Sequence, residues 1–200
     1  MRSAGRSKPT KPLQPMNKKE DILNAALQLF AERGFYGTSV ADIAERAKVG
    51  AGTIYRYFQD KDALVNSLYQ LWKREMMAAI LTDLPTDLPA RQIFHQLWNR
   101  MAQFAKSNPE ALIFLEAHHH AAYLDQTSRE LTAWAREQLQ DFFEASRNDQ
   151  ITRDAPPELL VALVVGAFMG VQKAFINGLV EQTPTNEALA EEICWEAVRR

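Results

Sequence analysis

Residues 39–61 read SVADIAERAKVGAGTIYRYFQDK, and the run divides into a short helix, a tight turn, a second short helix and the start of a third. Ser39 with Asp42 three residues on is a helix-start signal, each side chain being placed to cap the other's backbone N–H. Val40, Ile43, Ala44 and Ala47 form the inward face of the first short helix, and Gly50 and Gly52 bracket the turn. The second helix, ending near Phe58, carries Thr53, Tyr55, Arg56 and Tyr57. That polar, aromatic and cationic set does not suit a core. It suits a helix lying in a DNA groove with phosphates on either side.

Each residue of that set has a task in such a reading. Tyr57 offers a hydroxyl to a phosphate, and Lys61 sits where the next helix start adds N–H groups and a positive dipole end. Thr53, Tyr55 and Arg56 are placed near base edges or the flanking backbone, arginine being the side chain most often bidentate to guanine. Gly52, without a side chain, lets the helix start approach DNA closely, and Ser39 joins the set at the first helix start. The competing reading makes Tyr55 and Tyr57 ordinary half-buried aromatics, and it leaves Arg56 and Lys61 unexplained.

Working outward, a first helix is expected after Asn17, with Glu20 completing its cap and Ile22, Ala26, Leu29 and Phe30 forming one apolar stripe up to Gly34. Asp60 caps a fourth helix that runs with Leu64, Leu68, Leu71 and Trp72 towards Leu81. Pro85 and Pro89 break the chain. Beyond them helices are expected near 90–106, from Pro109 to about Ala122, near 127–147, from Pro156 and Pro157 to about Val180, and from a Thr185 cap to Arg200. The expected fold is all-α with about nine helices. Residues 1–16 form a disordered basic arm, residues 17–64 a three-helix module with its helix-turn-helix at about 39–58, and residues 65–200 a larger helical domain.

Composition narrows the class. The chain has 200 residues, 46% of them apolar, enough for one fair-sized core or a small domain joined to a larger one. The net charge of −2 hides an asymmetry, since residues 1–61 hold 11 Lys and Arg against 6 Asp and Glu. A basic front and acidic rear point to a polyanion at one end, although a basic tail also serves solubility. The single cysteine, Cys194, allows no internal disulfide and suits a reducing cytoplasm. The N-terminus lacks the apolar run of a signal peptide. The most apolar window, Leu159 to Val171, is shorter than the roughly 20 residues of a membrane span and is read as a buried helix. No nucleophile–base arrangement or phosphate loop indicates an enzyme, and no cofactor is expected.

The rear domain holds three further patterns. Ala162, Gly166, Gly170, Ala174 and Gly178 recur every four residues as a smooth stripe, which lets another helix come close, from a second chain or from the same one. Phe94, Trp98, Phe114, His118, Tyr123 and Trp134 are candidates to line an apolar pocket, or simply core. His118, His119 and His120 point about 100° apart on a helix and cannot share one ion. Glu116, His120 and His95 make only a weak ligand set without a metal motif, so no metal site is assigned.

At three places the chain resembles the TetR family of bacterial transcriptional regulators. These are ILNAALQLFAERGFYGTSV in the first helix, IAERAKV in the second, and the run from Gly52 to Val65, GTIYRYFQDKDALV. The resemblance covers roughly residues 18–68. It implies a homodimer whose two recognition helices read a palindromic DNA operator, dimerisation through the last two helices, and a rear domain that binds a small effector and then releases DNA; the aromatic set above makes an apolar or aromatic effector the expectation. A DNA-bound protein that recruits a protein partner without any effector is the alternative. Where the family often has serine and a polar residue at the start of the recognition helix, this chain has Gly50 and Ala51, which removes one contact and leaves the basic arm to compensate.

Overall fold

The computed structural model describes residues 17–200, and the basic arm expected over 1–16 lies outside the described residues. Among the described residues there are nine helices. They are α1 (Lys18–Arg33), α2 (Val40–Arg46), α3 (Ala51–Tyr57), α4 (Lys61–Leu81), α5 (Ala90–Ser107), α6 (Pro109–His118), α7 (Gln126–Asn148), α8 (Pro157–Ile176) and α9 (Pro184–Val198). No strand forms among these residues, and one isolated bridge joins Thr152 to Arg199. The described residues divide into two compact units, residues 17–64 and Val65–Arg200, with α4 starting in the first and continuing in the second.

In the first unit, Asn17 caps α1 by accepting from the Lys19 N–H at 3.2 Å. The stripe Ile22, Ala26, Leu29 and Phe30 is buried, as are Ile43 and Ala44 of α2, Ile54 of α3 and Phe58 just beyond it. The α1–α2 loop is sterically tight. Gly34 has φ +70°, and a Cβ on Gly37 would lie 2.4 Å from the Arg33 carbonyl oxygen. Of Gly50 and Gly52, expected to bracket the α2–α3 turn, the first caps α3 and the second lies inside it. Gly50 is extended (φ −72°), and the left-handed residue is Lys48 at φ 55°. Its geometry comes from a helix-ending hydrogen-bond pair, Val49 N–H to Ala44 O at 2.9 Å and Lys48 N–H to Glu45 O at 3.1 Å. Those two bonds satisfy carbonyls that α2 would otherwise leave open.

The second unit is sewn together by buried polar groups as well as by its core. The Asn66 side chain donates to Tyr123 O and accepts from Asp125 N–H and Ser128 Oγ, each at 2.8 Å, tying α4 to the α6–α7 junction. The Arg91 guanidinium forks onto the buried Glu191 carboxylate at 2.5 and 2.9 Å, tying α5 to α9. Around these ties pack Trp98, Phe143, Leu160, Val164, Phe168, Trp195 and Val198.

Three helix ends differ from expectation, each for a local reason. α6 stops at His118 rather than Ala122, and beyond it the chain turns, with Ala121 N–H donating to His118 O at 2.9 Å and the His118 and His119 rings 2.7 Å from the Phe114 and Glu116 carbonyl oxygens. α8 stops at Ile176, where Gly178 at φ 68° lets Leu179 N–H reach Ala174 O at 2.9 Å. Gly178 therefore leaves the four-spaced stripe. α9 is capped by Thr183, not Thr185. Asn186 N–H donates to the Thr183 hydroxyl at 3.2 Å, with Pro184 at the first helical position, where its missing N–H costs nothing.

The reading of residues 159–171 as a buried helix also needs correction. α8 has two faces set about 200° apart, since residues offset by two positions turn through that angle. Leu160, Val164, Phe168 and Gln172 are buried, while Ala162, Gly166 and Gly170 are exposed and Ala174 half-buried. A Cβ added at Gly166 or Gly170 would meet no atom within 4 Å. By length and composition α8 is apolar enough to cross a membrane, yet only 28% of its apolar window is buried.

Candidate functional site

Residues of two separate regions carry chemistry, one in each unit. In the first, α3 is anchored by Ile54 and Phe58 and turns Gly52, Tyr55, Arg56 and Tyr57 outward, with Thr53 half-buried. Tyr55 and Tyr57 retain 55% and 44% of their surface, and the Tyr57 ring centroid lies 6.5 Å from that of Phe58. Gly50 makes no side-chain cap bond at the α3 start.

Two residues of the expected set are used differently. Ser39 spends its amide and hydroxyl on the Asp42 carboxylate at 2.8 and 2.6 Å while accepting from Asp42 N–H at 3.1 Å. These bonds, the hydroxyl's first, hold the Asp42 carboxyl below its ordinary pKa. The Lys61 ammonium, expected at a phosphate, donates to Phe35 O at 3.0 Å and Thr38 O at 3.1 Å and lies 3.9 Å from the centroid of the Phe35 ring. Lys61 thus holds the α1–α2 loop to the α4 start. Arg46 is likewise committed, forking onto Glu32 at 2.7 and 3.0 Å. Sequence reasoning passed over Tyr36, which is 88% exposed, and the exposed Lys48 at the α2–α3 turn. Tyr36 was legible as a large aromatic beside Gly37. Lys48 was masked by the glycines that follow it.

The second region is a cavity of about 540 Å³ between α4, α5, α6, α7 and α8. Its interior is formed by Met76, Met77, Met101, Met169, Phe104 and Phe168, with leucines and valines between them. None of the six residues expected to line a pocket does so. Phe94, Trp98, Phe114 and His118 are fully packed in the core, Tyr123 sits at the α6–α7 junction, and Trp134 points outward at 41% exposure. The large rings fill the space between helices, and the flexible thioethers border what is left open. Charge enters at Lys73, Arg136, Glu116 and Glu158. Burial and then the Arg136 charge push the Lys73 ammonium down to about 8. Among the described residues no group of three side chains is arranged to hold a metal ion, and His95 lies 3.5 Å from Glu191 instead.

Comparison with known proteins places these regions. Residues 22–68 match the family described as bacterial regulatory proteins, tetR family, and residues 69–200 match the tetracyclin repressor-like C-terminal domain. The chain belongs to the TetR family of helix-turn-helix transcriptional regulators. It is 31% identical over 94 residues to the transcriptional regulator HbdR of Aromatoleum sp. (strain CIB), an alignment covering 44% of this chain and 39% of that one. A transcriptional repressor of Mycobacterium tuberculosis is 39% identical over 72 residues, covering 36% of this chain and 38% of the relative. The chain thus spans about half or less of the length of the curated relatives it matches. A TetR-family regulator structure from Shewanella sp. PV-4 superposes with a TM-score of 0.79 at 25% identity, covering 92% of this chain and 99% of that one.

Two substitutions test the geometry. Lys61→Met is expected to cost about 2 kcal/mol of stability, the worth of charge-assisted hydrogen bonds, read as a lowered urea midpoint; an unchanged midpoint would show that the ammonium holds nothing. Lys73 has a folded-state pKa of about 8, below its ordinary 10.5, so the unfolded chain binds more protons between those values and stability rises with pH there. Lys73→Met should therefore raise the melting temperature of the ligand-free protein at pH 7, with the advantage shrinking as pH climbs from 8 to 10.5. A pH-independent difference would contradict that account.

Proposed function

We propose that this protein is a homodimeric transcriptional repressor that holds a palindromic operator through α3 and leaves it when a small molecule fills the cavity between α4 and α8. The observation that carries this reading is the outward face of α3, where Tyr55, Arg56 and Tyr57 stand clear of a core that fixes the helix behind them. The side chains of Arg56 and Lys48 make no hydrogen bond or ion pair among the described residues, so both charges are available to a polyanion. Gly52 and Thr53 lie at the α3 start and Ser39 at the α2 start, where a backbone phosphate would approach.

One seven-residue helix spans too few base pairs for useful specificity, so two copies at a fixed spacing are needed. The exposed face of α8 and α9 supports the second copy. Leu159, Leu163 and Ile176 of α8 and Leu189 and Ile193 of α9 are half or more exposed, with Gly166 and Gly170 offering a smooth surface among them. Apolar surface of that extent on a single chain marks an interaction face. Glycine in a helix interior costs about 1 kcal/mol relative to alanine, which close packing of a second backbone offsets. An open cavity of about 540 Å³ favours an effector over the alternative of a partner-recruiting protein, for which a closed rear domain is expected.

DNA from the promoter of the protein's own gene is the first probe. Arg56→Ala should weaken binding to it by roughly tenfold to a hundredfold and reduce the salt slope, read by fluorescence anisotropy at two salt concentrations. Equal affinity for wild type and variant would remove α3 as the reading element. Gly166→Leu should lower the dimer fraction in sedimentation velocity while helical content by circular dichroism stays at the wild-type level; a folded variant that sediments as a full dimer would remove the α8 interface.

A further inference from the structure

The cavity is chemically two-sided. All of its large apolar lining residues are buried or half-buried, whereas His119, His120, Arg136 and Glu158 are exposed at its rim. An apolar interior behind a polar mouth fits a molecule that is itself amphipathic. The four methionines are unbranched and have adaptable thioethers, which suits a flexible hydrocarbon body better than a rigid polar ring.

The charges at the mouth are not balanced. Glu116 already faces Lys173, with Nζ to Oε1 at 2.7 Å. Glu158 lies in the first turn of α8, where the helix N-terminus favours its negative charge. The Arg136 charge disfavours the Lys73 ammonium, and neither side chain makes a hydrogen bond or ion pair among the described residues. Two cations, Lys73 and Arg136, thus stand against one acid without an ion pair, Glu158, and the balance of unpaired charge in the cavity is positive. Desolvation already disfavours the Lys73 ammonium, and a neutral ligand closing the mouth would deepen that penalty. A cationic ligand would add repulsion. A carboxylate would attract both groups, offset their repulsion and accept the paired N–H donors that a guanidinium offers.

We propose that the cavity takes an amphipathic carboxylate, with its hydrocarbon body among Met76, Met77, Met101, Met169, Phe104 and Phe168 and its head between Lys73 and Arg136. The assignment rests on the cavity being the effector site and specifies the class of effector. Thr132 already bonds Tyr69, its hydroxyl 2.9 Å from the Tyr69 oxygen, so it does not compete for the head group.

Decanoate, 1-decanol and decylammonium share one hydrocarbon chain and differ only in the head, so they isolate the charge. Calorimetric titration of the full-length protein with each, followed by anisotropy with promoter DNA, gives the test. Decanoate should bind about tenfold or more tightly than 1-decanol, the worth of a charge-assisted hydrogen bond, and decylammonium most weakly. Lys73→Met, with Arg136→Gln as a second variant, should abolish the preference for carboxylate over alcohol. Alcohol binding as tightly as carboxylate, with both releasing DNA, overturns the anionic head and leaves the effector reading standing. Decanoate binding that leaves DNA affinity unchanged upholds the ligand class and overturns the effector reading. Failure of all three probes to bind overturns the assignment.

Discussion

A seven-residue helix makes too few internal hydrogen bonds to persist by itself, and the first unit is organised around that constraint. α2 and α3 are both of this length. Each must therefore be held from outside, and the sequence supplies a hold at every end. Ser39 and Asp42 close the start of α2, Val49 and Lys48 amides close its end, and Ile43, Ile54 and Phe58 pin both helices to α1. Lys61 completes the arrangement by fastening the loop that precedes α2 to the start of α4. A lysine used in this way is not a phosphate ligand first. Its charge is invested in holding the neighbouring loop, and the side chains of Lys48 and Arg56 make no hydrogen bond or ion pair among the described residues.

Helix order and boundaries were legible wherever the signal is local. Asn17, the Ser39–Asp42 pair, Pro109 and Pro157 mark helix starts through groups within a few residues of themselves. The turns were less so. Sequence reading looks for glycine where the backbone goes left-handed, but of the three helices that end in the same paired-carbonyl turn only α8 uses one. α2 uses Lys48 and α7 uses Gln150. A non-glycine residue there costs roughly 1–2 kcal/mol, and two satisfied carbonyls are enough to offset it. Gly50 and Gly52, the visible glycines, instead keep the start of α3 free of side chains.

The cavity was illegible for a different reason. Aromatics attract attention in a sequence, yet a large rigid ring is the best filler of space between helices, so Phe94, Trp98 and Phe114 went to the core. What lines an opening is decided by which residues fail to meet across it, and no periodicity records that. α8 was misjudged similarly. Its apolar run suggested burial all round, whereas one face packs on α7 and α9 and the face opposite is bare. An all-apolar helix says that every face needs a partner. It does not say that one chain supplies them all.

α4 is the element through which the two regions can communicate in the proposed regulator. Its first turn holds Lys61, and further along the same unbroken helix Lys73, Met76, Met77 and Ile80 border the cavity. Asn66 and Tyr69, between them, are bonded to the α6–α7 region, so α4 cannot shift without disturbing that network. A ligand moves such an equilibrium only by the difference in its affinity for the two states. Hydrocarbon contacts alone would stabilise any arrangement that keeps the cavity apolar. Lys73 and Arg136 are different, because their mutual repulsion destabilises whichever arrangement brings them together unless an anion lies between them. In the proposed regulator the charge at the mouth would give an anionic effector a preference between states, and the volume behind it would select among hydrocarbon bodies.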